Sequence, residues 1–299
     1  MISQLATLSL TRMDWIQITN QPAFAAFAHG CGVPRIMVDL EHMGKKERQG
    51  GLGTFISDHQ PQDVGKVRAA APRAHLIVRV NPIHSASASE INQAIAAGAD
   101  SLMLPMFEEA STLRTFADLV AGRARCIALL ETRRALATLP EWAGLAGLDE
   151  IYVGLNDLHR QLGQRFMFEP LADGTLDRIA RTARSADKRL GFGGIARLDE
   201  GLLPGRVVLG EHLRLGSTSV ILSRTFNREM LEAPESDWRS VYCQAIARMQ
   251  HCEGVLATRT PDEVESDRLL ARDLIAKATA ALTPAPDTQP GASKRIIAG

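Results

Sequence analysis

Residues 126–155 have the sequence CIALLETRRALATLPEWAGLAGLDEIYVGL. A short apolar run stands at each end of this stretch, over 126–131 and 150–155, and the residues between them repeat apolar side chains at helical spacing. Apolar runs without alternation are typical of strands that are buried on both faces, as in parallel sheets. The stretch is therefore predicted to form a strand, a helix and a second, parallel strand.

The same pattern recurs along most of the chain. Eight strands that alternate with helices predict an α/β fold in the form of a closed (β/α)8 TIM barrel. An open doubly wound sheet is the alternative, but no GxGxxG motif follows an early strand. The predicted strands are LATLSL (5–10), RIMVDL (35–40), HLIVRV (75–80), SLMLPM (101–106), CIALLE (126–131), EIYVGL (150–155), RLGFGG (189–194) and TSVILS (218–223).

The C-terminal part of the chain extends beyond the eight predicted strands. Two amphipathic stretches, at roughly 236–252 and 261–282, predict additional helices. The last residues are rich in Pro, Gly and small polar side chains, which predicts disorder. We therefore expect a catalytic barrel over 1–230, a helical extension over 231–283 and a disordered tail over 284–299. The extension is expected to pack between subunits of a homo-oligomer.

Composition excludes several classes of function. The chain has 299 residues, 45% of them hydrophobic, with 34 basic and 34 acidic side chains, so its zero net charge gives no reason to bind nucleic acid. No apolar run reaches the roughly 18–20 residues of a membrane span. The N-terminus shows no leader pattern. Cys31, Cys126, Cys243 and Cys252 show no CxxC spacing and are interpreted as reduced thiols. Together these features predict a cytoplasmic protein.

Polar residues follow the ends of most predicted strands. The chemistry of (β/α)8 barrels takes place at the carboxyl ends of the strands, so these residues are the candidate site. They are Asp39, Glu41 and His42 after the second strand, Arg79 and Asn81 after the third, Glu131 after the fifth, Asn156 and Asp157 after the sixth, Gly193 and Gly194 at the seventh, and Ser223 and Arg224 after the eighth.

Two of these residues, Glu131 and Asp157, are carboxylates at the ends of adjacent strands. Their side chains should converge, and burying two carboxylates is costly without a positive partner. Paired carboxylates with waters suit a hard divalent cation such as Mg²⁺ or Mn²⁺. No His–Cys cluster or HExxH motif indicates a zinc site. The sequence thus predicts a divalent metal at Glu131 and Asp157.

Five motifs, taken in order, resemble the HpcH/HpaI aldolase/citrate lyase family. The separation of 26 positions between Glu131 and Asp157 (157 minus 131) also matches that family. The motifs are DLEH (39–42), RVNP (79–82), GADSLMLP (98–105), LLET (129–132) and GLNDLHRQLG (154–163). The resemblance covers roughly residues 20–226.

The resemblance implies roles for five residues of these motifs. It makes Glu131 and Asp157 the ligands of a divalent metal that chelates the keto and carboxylate oxygens of pyruvate or a related 2-keto acid. It places Arg79 at the keto oxygen and makes His42 the general base, with Asp39 beside it. We assign Gly154 and Asn156 to substrate binding as well.

General chemistry agrees with these roles. Removal of a proton next to a ketone builds negative charge on the keto oxygen, and a metal with a fixed guanidinium stabilises that charge. No lysine ends any strand from the second onward, which weighs against a Schiff-base aldolase. The predicted function is a carbon–carbon lyase of the class II aldolase type, with a 2-keto acid and an aldehyde or acyl compound as substrates.

Two other functions remain open on the sequence. One is a Claisen-type lyase for a CoA thioester, or a citrate synthase-like enzyme that uses oxaloacetate. The other is a non-catalytic barrel that binds a keto acid.

The seventh and eighth strand ends indicate a site for the second substrate. Gly193 and Gly194 lie in GFGGIAR, which can expose backbone N–H groups, while Arg197 and Arg224 supply positive charge nearby. Loops at this position in such barrels often bind phosphate. We therefore expect the second substrate to carry a carboxylate or a phosphate, contacted by Arg224.

Overall fold

The computed structural model describes residues 13–44 and 58–282. Eight parallel strands form a closed barrel in which each strand pairs with the next and β8 pairs with β1. The predicted (β/α)8 barrel is therefore confirmed. The strands are β1 (Asp14–Ile18), β2 (Arg35–Asp39), β3 (His75–Arg79), β4 (Ser101–Leu104), β5 (Arg125–Leu130), β6 (Glu150–Val153), β7 (Arg189–Ile195) and β8 (Ser219–Leu222).

Helices follow the strands and surround the barrel. Within the described residues they are α1 (Pro22–Gly30), α2 (Pro61–Ala70), α3 (Ser87–Ala96), α4 (Ala110–Val120), α5 (Arg133–Ala137), α6 (Leu139–Trp142), α7 (Leu155–Gln161), α8 (Glu169–Ala172), α9 (Thr175–Ser185), α10 (Gly205–Leu215), α11 (Arg228–Glu232), α12 (Trp238–Leu256) and α13 (Pro261–Ala281).

The strands are apolar on both faces because both faces are covered. In β2, Met37 packs inside the barrel, whereas Ile36 and Val38 pack against the surrounding helices. Successive side chains of a strand point to opposite faces, so a strand between two apolar layers needs a continuous apolar run. This explains why β2 to β8 were predicted within a few residues of their observed bounds.

The predicted first strand, over residues 5–10, lies outside the described residues. The first strand of the barrel is β1, Asp14–Ile18, which the sequence analysis did not predict. This strand was missed because two of its five side chains are polar. Asp14 forms an ion pair with Arg189, and Gln17 accepts a hydrogen bond from the Tyr242 hydroxyl at 2.9 Å. Such partners offset the cost of burying polar groups, but no sequence pattern announces them.

The two additional C-terminal helices are confirmed as α12 and α13. Helix α12 packs Trp238 and Tyr242 edge-on against Phe24 of α1, and α13 packs on α8 and α10. No helix of the described residues is long and apolar enough to cross a membrane. The division into a barrel and a separate extension stays a prediction, as does the homo-oligomer. The predicted tail over 284–299 lies outside the described residues.

The interpretation of all four cysteines as reduced thiols is wrong for two of them. Cys31, at the end of α1, and Cys243, in α12, form a disulfide, while Cys126 and Cys252 are free. The two bonded residues are 212 positions apart in sequence, so no local spacing could have revealed the pair. Disulfides persist mainly in oxidising surroundings, so the cysteines no longer support the cytoplasmic location, which stays a prediction.

Candidate active site

A cavity of about 570 Å³ opens at the carboxyl ends of the strands. This size is ordinary for a small-molecule site. Nine of the residues that were assigned a role from the sequence line this cavity, and His42 does not. Of the other strand-end candidates, Ser223 lines it as well, whereas Glu41 and Asn81 do not. The nine are Asp39, Arg79, Glu131, Gly154, Asn156, Asp157, Gly193, Gly194 and Arg224.

Arg79 is held at the end of β3 by two carboxylates. Its Nε and Nη2 atoms each donate to an oxygen of Asp39 at 2.8 Å, and Nε lies 3.4 Å from Glu41. Although burial opposes its charge, Asp39 and Glu41 raise the pKa of Arg79 above the ordinary value. The third nitrogen, Nη1, makes no hydrogen bond within the described residues. The guanidinium is thus fixed and charged, with one nitrogen available to a ligand in the cavity.

Glu131 follows β5 and is buried, at 3% exposure. Its Oε1 accepts a hydrogen bond from the backbone N–H of Met106 at 3.0 Å. Burial raises the Glu131 pKa to about 8, and the negative charges of Glu41 and Asp157 add to this effect, against the opposing charge of Arg79. The site therefore contains more negative charge than its one fixed arginine balances.

Gly154 allows β6 to approach Glu131 closely. A Cβ atom on Gly154 would lie 2.7 Å from Glu131 Oε2 and 2.9 Å from its Cβ, so a larger residue would displace the carboxylate. Gly154 also precedes α7, whose first turn contains Asn156 and Asp157. Glycine at this position thus lets the first turn of α7 lie beside the end of β5.

The two predicted metal ligands fit a hard cation that keeps other oxygen ligands. Among the described residues no group of three or more His, Cys, Asp or Glu side chains is arranged to hold a metal ion. Mg²⁺ is commonly bound by one or two carboxylates, with waters and substrate oxygens in the other positions. Burial and the nearby charges of Glu41 and Asp157 disfavour the charged form of Glu131, and a bound divalent cation would favour it.

His42 and Asp39 are not arranged as the sequence led us to expect. The His42 side chain is exposed, and its Nε2 donates to the backbone carbonyl of His59 at 3.1 Å. The Asp39 carboxylate binds Arg79 and does not orient His42. Asn81 accepts hydrogen bonds from the backbone N–H groups of His42 and Met43, at 2.9 and 3.0 Å, and so fixes this turn outside the cavity.

His59 is a buried cavity residue that the sequence analysis missed. Its Nδ1 accepts a hydrogen bond from the backbone N–H of Asp39 at 2.9 Å. A backbone N–H can only donate, so Nδ1 carries no proton and the neutral ring carries its proton on Nε2. His59 lies far from any predicted strand end and directly precedes α2. Only the tertiary structure places it beside Asp39.

The glycines of β7 create a bulge that Tyr152 fills. The pairing of β7 with β8 shifts register between Gly191 and Gly194. The Tyr152 hydroxyl compensates by donating to the Gly193 carbonyl at 2.7 Å and accepting from the Ile221 N–H at 2.9 Å. Gly193 has a φ of 55°, a conformation that favours glycine. The bulge brings the backbone of Gly193 and Gly194 to the cavity surface.

Only one of the two arginines that were expected to bind an anionic substrate lines the cavity. Arg224 does so, whereas Arg197 forms a two-fold ion pair with Glu229 of α11 and donates to the Phe226 carbonyl at 3.0 Å. Arg197 is therefore used to hold α11 against the segment that follows β7. The case for an anionic second substrate loses one of its two charges.

Solved structures share this fold at low sequence identity. An HpcH/HpaI aldolase from Desulfitobacterium hafniense DCB-2 has a TM-score of 0.58 at 15% identity, over 76% of this chain and 93% of that chain. The citrate synthase SbnG has the same TM-score and identity, over 77% and 94%. The M. tuberculosis citrate lyase beta subunit, solved with oxaloacetate and magnesium, has a TM-score of 0.52 at 19% identity, over 79% and 98%. At such identities the likeness shows the fold.

The sequence itself shows the family. No curated protein gives a significant sequence match. The profile of the HpcH/HpaI aldolase/citrate lyase family matches residues 13–187, more than half of the chain, and includes both metal-ligand candidates. This match supports an aldolase- or lyase-type activity. The chain belongs to the HpcH/HpaI aldolase/citrate lyase family.

Proposed function

We propose that the protein is a metal-dependent carbon–carbon lyase that acts on a 2-keto acid through an enolate. The observation that carries the proposal is that Glu131, Asp157 and Arg79 line the same cavity. Glu131 is buried near the charges of Asp157 and Glu41, and burial raises its pKa to about 8. Such a cluster is costly to maintain unless a bound cation neutralises it.

Glu131 and Asp157 would hold Mg²⁺ or Mn²⁺ in this reaction. When bound, the cation would act as a Lewis acid toward the keto oxygen of the substrate. Gly154 supports this arrangement because it leaves room for the Glu131 side chain. Asn156, in the first turn of α7 beside Asp157, lines the cavity and can donate an amide hydrogen bond to the substrate carboxylate.

Arg79 would stabilise the enolate directly. The carboxylates of Asp39 and Glu41 fix its guanidinium before substrate arrives, so no reorganisation is needed when charge develops on the keto oxygen. Nη1 is the nitrogen that would donate to that oxygen. Asp39 is in this account a positioning residue rather than a partner of a general base.

His59, rather than His42, would contact the second substrate. In the tautomer that the Asp39 N–H imposes, His59 holds its proton at Nε2, and this nitrogen would be the donor to the substrate. When the enolate carbon attacks an aldehyde, the aldehyde oxygen gains negative charge and needs such a donor. His42 remains the base that the family resemblance implies, but its position outside the cavity favours His59 for contact with substrate.

Variants of the two histidines test which of them contacts the second substrate. His59→Ala should lower kcat/KM for aldol cleavage by about a hundredfold, because one donor to the reacting oxygen is lost. His59→Gln, which keeps an N–H donor, should recover part of this loss. His42→Ala should change the rate less than His59→Ala. Steady-state kinetics of the three variants decide the order, and a larger loss in His42→Ala would restore His42 as the catalytic histidine.

Metal affinity should depend on pH through Glu131. Its pKa of about 8 in the metal-free protein means that below this pH the cation must displace a proton. Mg²⁺ affinity should therefore rise roughly tenfold per pH unit up to about pH 8 and then level off. Calorimetric titration across this range measures the effect. Glu131→Gln should bind weakly without that slope, and a flat wild-type profile would argue against Glu131 as a ligand.

Cleavage of a 4-hydroxy-2-keto acid tests the proposed reaction. With Mg²⁺ or Mn²⁺ present, the protein should release pyruvate and an aldehyde, measured by reduction of the released pyruvate with lactate dehydrogenase. Chelation should stop the release, and added metal should restore it. Release that continues undiminished after chelation would contradict a metal-dependent lyase.

A further inference from the structure

We propose that the second substrate is a neutral aldehyde with an apolar body, held by an apolar wall of Met167, Met230 and Leu231. The inference rests on the proposed function and names the class of its second substrate. All three residues line the same cavity as Arg79 and Glu131. They lie on the connection between α7 and α8 and on α11, whereas the charged groups come from the ends of other strands.

The packing of the protein explains only part of the apolar character of these side chains, because Met167 and Met230 pack against the core whereas Leu231 does not. Helix α11 has no buried residue, and Leu231 is 56% exposed. Met230 is only half-buried, as is Met167. The exposed leucine gains little from the core, and both methionines leave part of their surface uncovered. A ligand in the cavity would cover this remaining apolar surface.

Polar contacts hold the wall in place. Arg197 and Arg228 connect α11 to the segment after β7 through ion pairs with Glu229 and Glu200 respectively. These pairs fix the helix backbone without burying its apolar residues. Met230 and Leu231 are therefore kept at the cavity, and Arg197, expected from the sequence to read an anion, positions the apolar wall instead.

The shape and chemistry of the cavity limit the ligand. A three-carbon keto acid fills only a small part of about 570 Å³, so room remains for a second substrate of larger size. Two methionines adapt to varied apolar shapes, which suits an aliphatic or aromatic body. Arg224 also lines the cavity, but its side chain is exposed, and water and salt screen its attraction for an anion.

A set of matched aldehydes tests the wall. Wild-type protein with pyruvate should use hexanal with a kcat/KM at least about tenfold above that for acetaldehyde, because several methylenes contact the wall. Hexanal should also be preferred over 6-oxohexanoate, which has the same chain with a terminal carboxylate. A preference for 6-oxohexanoate would overturn the proposal in favour of Arg224.

Variants of the wall supply the control. In Met230→Ser/Leu231→Ser, the ratio of hexanal to acetaldehyde kcat/KM should fall at least about tenfold. The variant should fold, because α11 buries none of its residues. Leu202→Ser removes a leucine that is 65% exposed and lies outside the cavity, and this variant should keep the wild-type ratio. Equal losses for both aldehydes in the wall variant would contradict the proposal.

Binding of 1-hexanol separates this inference from the proposed function. Saturation-transfer NMR should detect the alcohol on wild-type and Leu202→Ser protein and lose it on Met230→Ser/Leu231→Ser, whether or not the protein turns over. If hexanol binds this way but wild-type protein neither condenses nor cleaves substrates, the proposed lyase function fails and the apolar wall stands. If hexanol does not bind, or binds equally to all three proteins, the wall fails.

Discussion

Glu131→Gln and Asp157→Asn should each lower kcat/KM for aldol cleavage by at least about a thousandfold. Each change removes a charged ligand while preserving the shape of the side chain, and a metal supplies several kcal/mol of transition-state stabilisation in such reactions. The metal-free Glu131→Gln protein should be as stable as wild type or more so. Its neutral side chain avoids the burial of a charge and the repulsion from Glu41 and Asp157, which together raise the Glu131 pKa.

Glu211→Gln is the matched control for this result. Glu211 is as buried as Glu131, at 3% exposure, but it lies on the outer helix α10 and pairs with Arg214. Its neutralisation should lower the thermal midpoint and leave turnover unchanged. Glu131→Gln should therefore lose activity and keep its thermal stability, whereas Glu211→Gln should keep its activity and lose thermal stability. Full activity in Glu131→Gln would show that Glu131 is a structural acid.

Arg79→Lys should lower kcat/KM by at least about a hundredfold. Lysine keeps the positive charge but cannot bind Asp39 through two nitrogens and still present a third to the substrate. One donor to a developing oxyanion is typically worth about 2.7–4 kcal/mol. The loss should appear mainly in kcat, because the interaction strengthens as charge builds on the oxygen.

Arg214→Lys provides the comparison for Arg79→Lys. Arg214 is another arginine with two acidic partners, Asp177 and Glu211, but it lies on α10 outside the cavity. The same substitution there should affect stability and not turnover. If Arg79→Lys behaved in the same way, with near-normal kcat, Arg79 would serve only to balance Asp39 and Glu41.

The barrel could be predicted from sequence wherever burial alone determined it. Strands β2 to β8 lie between two apolar layers, and their composition shows this directly. Strand β1 was not predicted because the polar groups of Asp14 and Gln17 are paired with Arg189 and Tyr242, which are far away in sequence. The disulfide between Cys31 and Cys243 was not predicted either, because its two residues are also far apart in sequence.

The site residues that the barrel positions could be predicted from sequence, whereas those that loops position could not. Arg79, Glu131 and Asp157 end strands or begin helices next to strands, so the barrel topology alone brought them to one cavity. The position of His42 depends on hydrogen bonds from its turn to Asn81, and that of His59 on its bond with the Asp39 N–H. Loop geometry determines which histidine faces the cavity, and the spacing of sequence motifs does not predict loop geometry.

Proton exchange at the methyl group of pyruvate is the most direct measurement of the central claim. Protein in deuterated water with Mg²⁺ or Mn²⁺ should exchange the methyl protons of pyruvate for deuterium without any second substrate, as followed by proton NMR. Chelation, Glu131→Gln and Arg79→Lys should each slow the exchange by at least about a hundredfold. Wild-type exchange no faster than in buffer with metal alone would contradict enolate formation at this site.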